Sequence, residues 1–379
     1  MIGDYPRLGQ ASADGATKSI VLNMGPQHPS MHGVLHLMVE LSGETVLACR
    51  PVIGYLHRGI EKLFENRTYN QCIVLCDRLD YISQYSNEWA FCRAVEKLAD
   101  IEVAKRAEWL RTMYAELVRI TSHLLWWSSV GLDMGAWTPL IYAMVPREHL
   151  FDFYEATTGS RLMPNYLRFG GVKEDVDPAA LEELHDWLGT EFFAHLDEFD
   201  GLLSGNEIFL SRQRGLAHMT TDQAVAWGVT GPMLRATGCD RDLRKDTPYG
   251  VYDRLEWQTM TDARGDALAR YTVRMREMRE SANMAMQCIE RMPAGEVRTR
   301  LPKVLRPPAG EVYVRTESTR GELGIYLVSD GSVKPYRLRV HSPAFMNISS
   351  LPRLVPGAHI NDFFAIFGGV DNVMAEIDR

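Results

Sequence analysis

Two histidines, a tyrosine and an aspartate carry most of the chemistry that this sequence makes available. His28 and His32 stand four apart in Gly25-Pro26-Gln27-His28-Pro29-Ser30-Met31-His32-Gly33, nine residues with two imidazoles, two prolines and two glycines. A segment so stiffened by Pro and opened by Gly exceeds what joining two elements requires, and reads as a device for holding side chains in place. Four-residue spacing can set two histidines on one helical face for a metal, but Pro29 lies between them and the glutamate of the zinc-protease pattern is absent. Turn histidines satisfied by backbone groups account for the spacing better than a metal pair does. Tyr81, within Asp77-Arg78-Leu79-Asp80-Tyr81, is a candidate proton donor, although a charged helical face with one tyrosine is also an ordinary surface pattern. Asp133 follows the apolar run Leu124-Leu125-Trp126-Trp127. An unpaired carboxylate is costly to bury there, so it either reaches solvent or has a partner.

Other residue types close off alternatives. Cys49, Cys72, Cys76, Cys92, Cys239 and Cys288 are scattered, and no pair has the two-residue spacing of zinc or cluster sites. They read as buried thiols in a reducing compartment, holding no metal. Met275, Met278, Met284 and Met286 read as core filling. Arg320-Gly321-Glu322-Leu323-Gly324 and Gly368-Gly369 lack the strand, glycine series and helix of a dinucleotide site, so no nucleotide site is expected on this chain. The 379 residues are 46% apolar and 24% charged, which describes a folded soluble protein of one large or two ordinary domains. A net charge of −8 without a basic stripe disfavours nucleic acid as a partner. The N-terminus lacks a secretory pattern, and no apolar run approaches the roughly 18 residues of a membrane span. A cytoplasmic protein not itself integral to a membrane is expected.

The elements that position these residues follow from periodicity. Residues 1 to about 18 read as an extended or mobile tail. Alternation through Val34, Leu35, Leu37, Val39 and Leu41, the turn Ser42-Gly43-Glu44, then Val46, Ala48 and Val52 give a β-hairpin that the histidine loop opens. Gly54 to Gly59 delivers His57 and Arg58 before a short helix at about 60 to 66. A helix is expected over about 68 to 97, with Asp77, Asp80 and Tyr81 on it. Steps of three and four residues define a long amphipathic helix from Val103 to Leu124, and a second from Asp266 through Ile289 with Arg270, Arg274, Glu277 and Glu280 projecting away from its apolar face. Further helices are expected at about 139 to 158 and after the cap Asp177-Pro178. Thr221 or Asp222 could cap a short helix. Pro293 to Pro308 is an irregular connector. Beyond it come β segments joined by Gly turns, Asp330-Gly331 foremost, and a last helix at about 360 to 367. The expected class is mainly α with small β elements, α+β: a tail (1–18), then one domain (19–379) built of a β-hairpin (19–56), a helical bundle (57–292) and a C-terminal β region with a helix (309–379).

Several segments together resemble a known family. Asn23 to Leu35, Gly54 to Gly59, Asp77 to Tyr81, Arg274 to Ser281, Gly321 to Gly324 and the closing Asp378-Arg379 are similar, in order and from about residue 19 to the end, to the 49 kDa or D subunit of respiratory complex I. That family shares its fold with the large subunit of nickel-iron hydrogenases, whose two cysteine pairs hold a metal. Here Cys72 and Cys76 have the wrong spacing and the region from Asp371 to Asp378 has no cysteine. The resemblance therefore implies a hydrogenase-like bundle whose cleft takes a quinone headgroup instead.

Carried over by residue, the resemblance makes His32 and Tyr81 hydrogen-bonding partners of the quinone carbonyls, with Asp133 coupled to His32 and Met134 beside the quinone. It sets Arg58 near the terminal 4Fe-4S cluster of the neighbouring B subunit. Met163 stands where many relatives carry a histidine that makes the cluster's potential depend on pH; the ferredoxin-linked cyanobacterial and chloroplast branch also lacks it. The implied function is quinone reduction by a proton-pumping NADH:quinone oxidoreductase, with menaquinone or ubiquinone as substrate and no cofactor bound by this chain. The implied partners are the B, C and I subunits of the peripheral arm and the H and A subunits of the membrane arm, on the cytoplasmic face of the membrane. A ferredoxin-fed relative remains an alternative, as do, less well matched, a hydrogenase large subunit lacking its thiolates and a scaffold lacking quinone chemistry.

Overall fold

The computed structural model describes residues 19–27 and 33–379. The expected tail and the residues His28 to His32 therefore lie outside the described residues. About 51% of the described residues are helical, with small antiparallel sheets near the two ends of the chain, which is the α+β class expected.

β1 (Ile20–Met24), β2 (His36–Ser42) and β3 (Thr45–Val52) form an antiparallel sheet in that order. The expected hairpin is β2–β3, and the chain before the histidine loop adds a third strand to it. Leu35, Leu37 and Val39 point into a core shared with the C-terminal helices. The short pair β4 (Leu167–Arg168) and β5 (Gly171–Val172) closes around Arg111, which donates to Arg168 O at 2.6 Å and pairs with Glu96 at 2.6 Å. β6 (Gly310–Ser318), β7 (Gly321–Ser329) and β8 (Arg337–His341) form the C-terminal sheet, with Asp330-Gly331 in the β7–β8 connection.

The two helices Lys105–Asp133 and Ala267–Arg291 pack along one another at the centre. The first is apolar on several faces because neighbours cover it nearly all round, the Thr138–Thr158 helix among them. It ends at a tight corner, where a Cβ on Gly131 would lie 2.6 Å from Pro139 Cβ. The second starts as its sequence indicates, the Asp266 carboxylate accepting from Ala269 N. Asp177 caps the Pro178–Trp187 helix in the same way, whereas the Thr221–Ala226 helix is capped by Thr220, one residue earlier than expected.

Two expectations fail for one physical reason. The helix expected over about 68 to 97 is two helices, Tyr69–Cys76 and Gln84–Ala99, with Asp77 to Ser83 forming the turn between them. Asp77 and Asp80 make that break by accepting distant donors, Asn165 N at 3.1 Å and Arg320 Nη1 at 2.5 Å. Likewise Arg270, Arg274 and Glu277 are buried: Asp371 faces Arg274 and Arg235 faces Glu277 across the core, while Arg270 donates to the carbonyls of Ala217 and Gly265. Three short helices, Pro343–Ile348, Leu351–Leu354 and Met374–Asp378, accompany the expected last one, which lies at Phe363–Val370.

The turn Thr319-Arg320 between β6 and β7 meets the chain before the Pro232–Arg235 helix backbone to backbone. A Cβ on Gly321 would lie 2.1 Å from Thr230 Oγ1 and 2.7 Å from Gly231 N, at a φ of +131°. Gly321→Ala is expected to destabilise the protein by about 3 kcal/mol through clash and backbone strain. A shift in the denaturation midpoint measures this, and an unchanged midpoint contradicts the packing described.

Candidate functional site

Tyr81 sits in the Asp77–Ser83 turn with 39% of its surface exposed. Residues on both sides of it are fixed. Asp80 is fully buried: one carboxylate oxygen accepts from Arg320 Nη1 at 2.5 Å and the other from Ile82 N at 3.2 Å. Its carbonyl accepts from Ser83 N and from Asn87 Nδ2. Burial, and next the Asp80 carboxylate, raise the Tyr81 phenol above its ordinary value while Arg320 opposes them. At neutral pH the side chain is therefore a protonated donor facing outward.

The last stretch of the chain touches Gly33, the turn of Tyr81, the end of the Asp133 helix and the loop of Arg58. A Cβ on Gly33, next to His32, would lie 3.3 Å from Met374 Cγ. A Cβ on Gly368 would lie 3.5 Å from Asp133 Oδ2, so the carboxylate at the end of the Lys105–Asp133 helix leans on the Phe363–Val370 helix. Trp126 Nε1 donates to Gly368 O at 2.8 Å in the same seam. Asp371 accepts from Arg320, Nη2 to Oδ1 and Nε to the carbonyl, both at 3.1 Å. Ile82, beside Tyr81, packs with Val373, Ala375, Leu56 and Leu125. Arg58 Nη2 donates to Ala375 O and to Arg78 O, each at 2.8 Å. Asp378 accepts from Gly54 N at 3.0 Å and Leu56 N at 2.6 Å, and its carbonyl accepts from His57 Nδ1 at 2.7 Å. His32 itself lies outside the described residues.

Known proteins resemble the chain over most of its length. The family model for the 49 kDa subunit of respiratory-chain NADH dehydrogenase matches residues 133–307 and 299–379. Proteins named as D subunits of NADH-quinone oxidoreductase align over 96% of this chain and 99% of their own length, 45% identical in Carboxydothermus hydrogenoformans, 47% in Dehalococcoides mccartyi and 43% in Bacillus mycoides. The chain belongs to the 49 kDa subunit family of respiratory complex I. As a member of that family it is part of an oxidoreductase complex, and it works within an assembly of other subunits.

Within this 49 kDa-type subunit, Met134 caps the helix that Asp133 ends and packs against the main core. Met163 occupies a left-handed position, φ +55°, in a loop held by buried carboxylates: Asp77 accepts from Asn165 N, and Glu88 from Tyr166 N and Leu167 N. That loop is therefore fastened to the turn carrying Tyr81. The Cys72 and Cys76 thiols donate to backbone carbonyls, at 3.5 Å each, and burial pushes Cys72 up to about 12 and Cys76 well above its ordinary value. No helix among the described residues is long and apolar enough to cross a membrane.

Sequence reasoning missed Arg320, Asp371 and Glu376, all buried beside Asp80. The available signal was the density of acids in the closing segment, with no indication of the arginine that answers them. Glu376 is fully buried, where the Ala344 backbone and the Ser342 side chain favour its charged form only weakly. Burial, then the Asp80 charge, raises this carboxyl from 4.5 to about 8, so it is mainly protonated at neutral pH. Since the folded chain holds this proton more tightly than the unfolded one, the stabilisation is complete below the unfolded value and is lost as pH rises through the folded value. Glu376→Gln, which cannot ionise, should therefore lose less thermal stability than the parent protein between about pH 6 and 9. Parallel melting curves across that range would contradict the assignment.

Proposed function

We propose that this subunit forms the quinone-reduction site of a proton-translocating NADH:quinone oxidoreductase. Reduction adds two electrons and two protons to the quinone, so hydrogen-bond donors are needed at both of its carbonyl oxygens. Tyr81 and His32 supply them. Asp133 is coupled to His32, and Met134 lines the apolar side. A carboxylate near His32 favours the imidazolium and links its proton to movement elsewhere, the first step toward pumping. Electrons arrive from the 4Fe-4S cluster of the B subunit, beside which Arg58 and Met163 stand. The chain is held on the cytoplasmic face of the membrane by the B, C and I subunits of the peripheral arm and by the H and A subunits of the membrane arm, and NADH is oxidised on other chains.

One observation carries the reading. The closing segment contacts Gly33, the turn of Tyr81, Asp133 and the loop of Arg58, so four stretches remote in sequence converge on a single scaffold. A protonated, partly exposed tyrosine in that frame suits a donor to a bound ligand.

In the intact assembly, Tyr81→Phe and His32→Ala should each lower quinone reductase turnover about 10²-fold while the neighbouring 4Fe-4S cluster stays present and reducible. Unchanged turnover moves the quinone elsewhere. Met163 is a neutral thioether where a cation could stand, which lowers the cluster's potential, weakens its pH dependence and suits a low-potential quinone such as menaquinone. A redox titration of the cluster should show a shallow pH slope that Met163→His steepens toward about 59 mV per pH unit; a full slope in the parent protein contradicts this.

A further inference from the structure

Arg320 lies outside every motif assigned to the site, yet all three guanidinium nitrogens are committed to it. Nη1 donates to Asp80 Oδ2 at 2.5 Å and to Thr319 Oγ1 at 3.2 Å, Nε to Asp371 O at 3.1 Å, and Nη2 to Asp371 Oδ1 at 3.1 Å. The side chain is fully buried. Its backbone is held just as firmly. The turn closes the β6–β7 pair, Asn347 Nδ2 donates to Arg320 O at 3.1 Å, and the backbone at Gly231 packs against the turn. Arg119 donates to the two carbonyls before the turn, Glu317 O and Ser318 O, at 3.0 Å each.

We propose that Arg320 is a positioning residue for quinone reduction, acting through Asp80 to fix the direction in which Tyr81 presents its hydroxyl. The proposal rests on the quinone-site reading above. Asp80 has two oxygens with two tasks: one takes the arginine, the other takes Ile82 N, so the guanidinium clamps the backbone on either side of Tyr81. The same guanidinium grips Asp371 and so locks that turn to the closing segment on which Gly33 and Asp133 rest. A lysine could keep the charge but would lose the planar fork that reaches Asp80 and Asp371 together. Asp80, Asp371 and Arg274 are the charged groups around this guanidinium, with Glu376 a titratable neighbour, and the two aspartates outweigh the effect of burial and keep it protonated. No proton has to pass through Arg320; it acts by holding another residue still. Misaiming a reacting group by about 1 Å can cost on the order of 10²-fold in rate.

The test is a double-mutant cycle in the intact assembly, with turnover counted per reducible neighbouring 4Fe-4S cluster. Arg320→Lys is expected to lower kcat about tenfold in the parent background and less than twofold when Tyr81 is already Phe, because it acts through the tyrosine hydroxyl. Equal factors in both backgrounds, or parental kcat in Arg320→Lys, overturn the proposal. Where the lysine variant fails to assemble, Asp371→Asn removes the charge on the arginine's second anchor and enters the same cycle, with the same non-additivity expected and simple additivity overturning it. Parental turnover in Tyr81→Phe alone instead overturns the quinone-site reading, which separates the two failures.

Discussion

Burying charge is the constraint on which this protein depends. Asp80, Asp371 and Glu376 leave water together with Arg320 and Arg274, and further along the core Glu277 meets Arg235 and His123. A buried ion pair adds little stability over an apolar packing of equal shape, but removing one partner strands the other and costs about 3–5 kcal/mol. Each charge therefore dictates where its partner must be. Asp80 and Arg320 are 240 residues apart, and Arg58 meets Ala375 across 317 residues. The chain's early loops and its closing segment are brought into one register by these demands rather than by apolar packing alone.

This gives the site its character. The frame is buried and charged, whereas Tyr81 is partly exposed beside it. Arg58 shows the same division: burial makes its proton easier to lose, the Asp378 carboxylate opposes that, and two carbonyls fix the guanidinium. A hydrogen-bond donor meant for a transient ligand must not be consumed by the protein, and rigid neighbours let it stay oriented without one. On the proposed reading, coupling between quinone chemistry and motion elsewhere has a physical route, since the closing segment touches Gly33, the Tyr81 turn and the end of the Asp133 helix alike.

Much of the fold was legible because its signals are local. Apolar steps of three and four residues mark both central helices, Asp177 and Asp266 announce their helix starts, and Asp330-Gly331 marks the β7–β8 connection. What stayed hidden is what depends on partners remote in sequence. Nothing local in residues 68 to 97 ends a helix at Cys76; the captures of Asp77 by Asn165 and of Asp80 by Arg320 do so. Arg270, Arg274 and Glu277 have the spacing of an exposed face, and only Asp371, Arg235 and the surrounding core explain their burial. Tyr81, Asp133 and Arg58 were identifiable as types in distinctive company, and family resemblance supplied their roles. Arg320 was visible only as part of a glycine-rich piece that fails as a nucleotide motif.

On the proposed reading a quinone is bound against the scaffold formed by the closing segment. The most direct measurement is a structure of the intact assembly with quinone bound. The account predicts one headgroup oxygen within about 3 Å of the Tyr81 hydroxyl and the other within reach of a His32 nitrogen. A headgroup bound away from Tyr81, with that hydroxyl turned to a protein acceptor, would contradict it.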